Sequence, residues 1–187
     1  SPRNVLKKQL ARLADKGIVA KAATELEFYL FKESFEEAAD NLYRDLTPIS
    51  AYNEDYHIFQ TSKEEHVMRA LRNGLFGAGI EVECTKGEAD AGQAEINVVY
   101  SDALTTADQH VLVKQATKEI ADQQGHSASF LAKWSYEFAG SSSHIHQSLW
   151  SADGEALFFD DKAEHGMSDL MRSYIAGLLH HADATTL

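Results

Sequence analysis

The sequence predicts an α+β fold, and three observations carry that prediction. Segments with helical and strand periodicity alternate along the chain, with no repeat and no low-complexity stretch. There is no glycine-rich phosphate loop and no strict strand–helix–strand rhythm, which argues against a doubly wound parallel sheet. The 187 residues, 44% hydrophobic and 25% charged, suit one ordinary globular domain with a real core.

Pro2 followed by Val5, Leu6, Leu10 and Leu13 predicts a first helix that closes near Gly17. Residues 18–31 read as extended. Residues 34–46 read as a helical or loop excursion, and residues 47–61 as irregular. A second helix is expected over 63–77, with Val67, Ala70, Leu71 and Leu75 on one face. It leads into a strand over 80–84, and another strand is expected over 96–100, ending at Tyr100. The strongest helical pattern runs from 105 to 124. Thr106 and Gln109 make a capping-box pattern there, Val113, Ala116 and Ile120 share a face, and Gly125 supplies the stop. Strands follow over 127–133 and 143–150, then the turn Ala152-Asp153-Gly154 and an amphipathic helix over about 167–181.

Charge and cysteine usage exclude some functions. A formal net charge of −12 argues against binding nucleic acid through its phosphates, which needs basic surface. The single cysteine, Cys84, rules out an internal disulfide and suits a reducing compartment. No apolar run approaches the roughly 20 residues of a membrane span, and the first residues lack a signal-peptide pattern. A cytoplasmic protein without a membrane partner is expected.

Three segments carry chemistry. The first is Glu25-Leu26-Glu27, inside the apolar run from Thr24 to Phe31. Strand geometry puts Glu25 and Glu27 on one face about 7 Å apart, with Leu26, Phe28 and Leu30 pointing the other way into a core. Partly buried, two such carboxylates need neutralising, and a divalent cation does that economically. The bland reading is a strand edge with two solvated acids. The second segment runs from Glu83 through Gly87, Glu88 and Gly92 to Glu95 and Asn97. The two glycines permit tight turns that could aim Glu88 and Glu95 at one point, although an acidic surface loop would look the same. The third is Ser142, His144, His146 and Ser148 on one face of a strand, opposed by Ile145 and Leu149. Two histidines on a polar strand face suit a cation or a phosphate better than a core.

Taken in order and spacing, these segments resemble the glutamine synthetase family. The resemblance spans Glu25 to Phe31, Gly79 to Glu83, Glu88 to Ile96 and Gly140 to Leu149, essentially the whole chain. It implies a mainly antiparallel sheet with helices packed on its outer side. It also implies ATP-dependent ligation of the glutamate side-chain carboxylate to ammonia or another amine, through a γ-glutamyl phosphate. By match to the motifs, Glu27, Glu88 and Glu95 would hold one divalent cation, and Glu25 and His144 part of a second. Oxygen-rich coordination with one imidazole suits Mg²⁺ or Mn²⁺. Glu83, Tyr100, His146 and Ser148 fall where the family contacts ATP, and Gly140 where its backbone meets glutamate. No residue stands out as the base that deprotonates the amine.

The resemblance further implies that residues 1–187 are a partial catalytic domain, incomplete at both ends. A β-rich domain before it and a further catalytic segment after it are expected in the whole protein, which would form a ring-shaped homo-oligomer. The isolated stretch is expected to be inactive. Ala139 stands where ammonia-using members present an Asn, and the interval from Glu88 to Glu95 is one residue shorter than theirs. Both differences favour a larger amine, such as a polyamine or ethanolamine, at least as much as ammonia. Two other readings remain at this stage: a catalytically inactive structural or regulatory relative, and a metal-dependent hydrolase.

Overall fold

One long strand, β1 (Ile18–Phe31), organises the sheet. In the computed structural model, which describes residues 1–185, it is preceded by α1 (Pro2–Ala14), opened by the proline in its first turn. Between β1 and the next strand lie α2 (Phe35–Asp40), α3 (Ile58–Ser62) and α4 (Glu65–Gly77). The strands β2 (Val82–Gly87), β3 (Gln93–Val98) and β4 (Ser101–Asp102) follow. Then come α5 (Ala103–Gln123), β5 (Ser127–Ser129), β6 (Ser143–Ser151), α6 (Asp169–His180) and α7 (Ala182–Thr185).

The six strands form one sheet in the order β2-β3-β1-β4, with β5 and β6 also pairing β1. The β2/β3, β1/β3 and β1/β5 pairings are antiparallel, so the expected sheet type is present. By chain contacts, Ser1–Ala22, Asp102–Leu104 and the described residues from His146 onward form one compact unit, and Ala23–Ser101 with Thr105–Ile145 a second.

The second unit holds the core. Leu26, Phe28 and Leu30 of β1 and Ala94, Ile96 and Val98 of β3 present one apolar face. Val67, Met68, Leu71 and Leu75 of α4 cover it, joined by Val113 and Ala121 of α5. Burying a side chain such as Phe28 or Leu30, both wholly inaccessible, contributes about 1.5–3 kcal/mol. The far end of β1 is buried on its other face too, where Trp134 and Phe138 pack on Tyr29 with ring centroids 5.5 and 6.3 Å away.

In the first unit, Lys21 of β1 lies 3.9 Å over the Trp150 ring, and the Leu157 amide donates to the Leu149 carbonyl. Ser168 caps α6 by accepting the Met171 amide at 3.1 Å. No helix among the described residues is long and apolar enough to cross a membrane.

Several expectations shift. The strand expected at 80–84 lies at Val82–Gly87, because the amide of Glu88 bonds the Gln93 carbonyl and extends the hairpin. The long helix starts at Ala103, so Thr106 is a buried residue of its first turns, not its cap. β5 ends at Ser129 because the following residues leave the sheet to place Trp134 on Phe31, 4.9 Å between centroids. The irregular stretch contains α3, whose first turn is capped by the His57 side chain accepting the Gln60 amide.

Candidate active site

The carboxylates converge because of strand register. Glu27 of β1 is paired with Glu95 of β3, and Glu95 in turn with Lys86 of β2. Glu25 is paired with Asn97 in the neighbouring row. Like charges directly opposite one another on a sheet are destabilising, so this row asks for a positive charge. Glu88 enters from the turn that closes the β2–β3 hairpin. Its position depends on Gly92, which has φ +72° and no room for a Cβ: one would lie 2.9 Å from the Leu30 carbonyl oxygen. Gly87 is needed for space alone, since a Cβ there would meet the Glu54 Cβ at 2.5 Å.

Two adjoining groups result. One ligand atom each from Glu27, Glu88 and Glu95 lie within 4.8 Å of one another, and so do atoms of Glu25, Glu95 and His144. His144 Nδ1 stands 3.3 Å from Glu25 Oε2. Glu95 belongs to both groups and is 3% exposed. Burial first, and the nearby Glu88 and Glu25 charges, push the Glu95 carboxyl above its ordinary range, with Lys86 opposing. Its Oε1 is buried without a hydrogen-bond partner.

Glu27 is held differently. Its Oε2 accepts from Gln93 Nε2 at 3.0 Å and from the Ser142 amide at 2.9 Å, while the Ser142 hydroxyl donates to Oε1. Gln93 also donates to the Gly140 carbonyl at 2.9 Å, which ties the 139–142 segment to the acidic row. Ala139 is pinned from both sides. Its amide donates to Asp90 Oδ2 at 2.8 Å, and its carbonyl accepts from the Tyr29 hydroxyl at 2.8 Å. Burial, then the Asp90 charge, push the Tyr29 phenol up to about 12, so it stays a donor.

The structure therefore brings Glu25, Glu27, Glu88, Glu95 and His144 together and places Gly140 beside Glu27 through Gln93. Glu83 is exposed at a bulge between Val82 and Cys84, and Tyr100 is exposed just after β3. His146 and Ser148 lie on β6 in the first unit, where Ser148 Oγ accepts from the Trp150 indole at 2.8 Å. One expectation fails here: Leu149 is buried, but Ile145 is 60% exposed. The first five residues of the strand are all exposed, so burial does not alternate there as expected. Sequence reasoning also passed over Gln93 and Lys86. Strand period was the available signal, since Gln93 is two residues from Glu95 and Lys86 two from Glu88.

Comparison with known proteins identifies the family. The family model of the glutamine synthetase catalytic domain matches residues 1–187. A γ-glutamylethanolamide synthetase of Streptomyces coelicolor is 46% identical over 179 residues, covering 96% of this chain and 38% of that protein. A glutamate–isopropylamine ligase of Pseudomonas is 35% identical over 179 residues, covering 96% and 39%. A glutamine synthetase of Thermus thermophilus is 39% identical over 188 residues, covering 97% and 39%. The chain thus spans about two-fifths of the length of these relatives. Among solved structures, the ADP complex of a protein named GmaS matches with a TM-score of 0.86 at 30% identity, over 97% of this chain and 41% of that one. A glutamine synthase homologue matches with a TM-score of 0.83 at 26% identity, over 96% and 39%. By sequence match over its whole length, and with a matching fold, this chain belongs to the glutamine synthetase family, within its catalytic domain.

Proposed function

We propose that the protein carrying this chain joins the side-chain carboxylate of glutamate to an amine, consuming ATP and passing through a γ-glutamyl phosphate. The convergence of Glu27, Glu88 and Glu95 from three places in the sequence is the observation that carries the proposal. A carboxylate is a poor electrophile: its charge repels an amine, and it offers no good leaving group. Attack of a glutamate carboxylate oxygen on the γ-phosphorus of ATP releases ADP and leaves an acyl phosphate. Amine attack on that carbonyl carbon then expels phosphate and forms the amide.

The donor set fits a hard divalent cation, Mg²⁺ or Mn²⁺. It offers carboxylate oxygens, one imidazole and, in Glu95 Oε1, a buried oxygen with no hydrogen-bond partner. Glu27, Glu88 and Glu95 would hold one ion, and Glu25 and His144 part of another. Bound there, the ions would supply the charge neutralisation that lets an anionic carboxylate approach an anionic phosphate. The chain's own groups organise the rest. Gln93 and Ser142 orient Glu27, and Tyr29 and Asp90 fix Ala139, so the Gly140 backbone is set to meet glutamate. We assign ATP contacts to Glu83, Tyr100, His146 and Ser148.

We read residues 1–187 as one stretch of a larger catalytic domain, in keeping with the share of each relative that it covers. A ring-shaped homo-oligomer and a cytoplasmic setting complete the proposal, the latter in keeping with the lone, exposed, unpaired Cys84. The amine is proposed to be larger than ammonia, ethanolamine or a polyamine in class. Ala139 in place of an Asn and the likeness to the ethanolamide and isopropylamine enzymes support that choice. The test is phosphate release by the full-length protein with ATP, glutamate and a panel of amines. Release that requires both glutamate and one amine is expected, with ammonia a poor substrate. Release without an amine product would point to hydrolysis, and none at all to an inactive relative.

A further inference from the structure

Lys86 is the one cationic side chain in the row of paired strands that also contains Glu27 and Glu95. Its ammonium donates to Glu88 Oε1 and stands 3.7 Å from Glu95 Oε1, so it lies against two of the three carboxylates that would hold the first cation. The third, Glu27, is satisfied separately by the neutral donors Gln93 and Ser142. The three carboxylate oxygens lie within 4.8 Å of one another. A divalent ion held at about 2.0–2.1 Å from such oxygens would take the space at Glu88 and Glu95 that the ammonium fills.

We propose that Lys86 is a tethered competitor for the first cation position, holding Glu88 and Glu95 together when no ion is bound and giving up both contacts when one binds. This rests on the cation-site reading above. The exchange moves no bond and no electron: one positive group replaces another between the same carboxylates. Lys86 has somewhere to go, since its side chain is 32% exposed and the Tyr56 ring lies 5.4 Å from its nitrogen. The ion-free site then keeps its shape without a metal, and Mn²⁺ affinity is lower than three carboxylates alone would give.

The experiment measures Mn²⁺ binding by calorimetry, and melting with and without Mn²⁺, on the full-length protein and its Lys86→Met, Lys86→Arg and Glu95→Ala variants. Lys86→Met is expected to bind Mn²⁺ more tightly, by ~10-fold or more, because a like charge has been removed from beside the ion. It is also expected to melt lower than wild type without Mn²⁺ and close to it with Mn²⁺ bound. Lys86→Arg, which keeps the charge, should stay near wild type in affinity. Glu95-dependent binding in wild type, with equal or weaker binding in Lys86→Met and no gap in ion-free melting, overturns the competitor proposal alone. Wild-type binding that is absent or indifferent to Glu95→Ala overturns the cation-site reading, and this proposal with it.

Discussion

Glu54 and Glu64 are both buried, at 0% and 3% exposure, outside the row of metal-type ligands. Glu54 Oε1 accepts from the Ser50 hydroxyl and from the Gly92 amide, while Glu54 Oε2 and Glu64 Oε1 are buried without a hydrogen-bond partner. Burial, then the charge of Glu54, push the Glu64 carboxyl up to about 9. The sign follows from linkage. Between the ordinary carboxylate range and about 9, the folded state keeps a proton that the unfolded chain has released, so this stability is full at low pH and lost as pH rises through that window. The slope approaches ~1.4 kcal/mol per pH unit at a full one-proton difference. Glu64→Gln, which mimics the neutral acid, should flatten the fall in urea midpoint between about pH 6 and about pH 8. Equal slopes in both proteins would count against a proton kept by Glu64 in the folded state. His144 is a contrasting residue, with a side chain 59% exposed. His144→Ala is expected to change stability by no more than ~0.5 kcal/mol while turnover of the full-length protein falls sharply. Unchanged turnover with a large loss of stability would make it structural.

Among the elements, the β2–β3 hairpin does the most for the site, because it carries Lys86, Glu88, Gln93 and Glu95 within a few residues. Gly92→Ala combines a left-handed φ with a Cβ 2.9 Å from both the Leu30 carbonyl and Pro48. We expect it to destabilise by ~1–3 kcal/mol in urea unfolding and to weaken Mn²⁺ binding, since the turn that aims Glu88 must move. Wild-type affinity in a destabilised Gly92→Ala protein would show that the turn matters for folding only. This hairpin also marks the limit of what sequence can tell. Alternation made the faces of β1 legible, so Leu26, Phe28 and Leu30 were found in the core, and the order of the acidic motifs was enough to anticipate their meeting. What strand period cannot supply is register between strands. The placement of Lys86 opposite Glu95 follows from the turn at 88–92, whose register runs unbroken through Gly87↔Ala94 to Cys84↔Asn97 before a bulge near Glu83 shifts it. Long-range packing was equally hidden: Trp134 and Phe138 end β5 early because they cover Tyr29, more than a hundred residues earlier in the chain. The exposure of Ile145 belongs to the same class, since alternation gives a side chain's direction but not what stands there to cover it.

At the scale of the whole molecule, a net charge of −12 and a partly buried cluster of carboxylates act in the same direction, against the compact ion-free state. Two remedies with different signatures are available. Diffuse repulsion over the surface is relieved by any salt, because charges more than about 8–10 Å apart are screened at ordinary ionic strength. The Glu27–Glu88–Glu95 cluster is relieved efficiently only by an ion that can sit among its oxygens. An ion that binds only the folded state stabilises it by ~2.7 kcal/mol at a hundred times its Kd. Mn²⁺ should therefore raise the melting temperature of the full-length protein well beyond NaCl at matched ionic strength, and a chelator should reverse the gain. Glu95→Ala should keep the NaCl response and lose most of the Mn²⁺ response, because Glu95 is common to both groups of ligand atoms. An equal shift from NaCl, or a full Mn²⁺ shift in Glu95→Ala, would assign the stabilisation to general screening and remove the thermodynamic support for a built cation site.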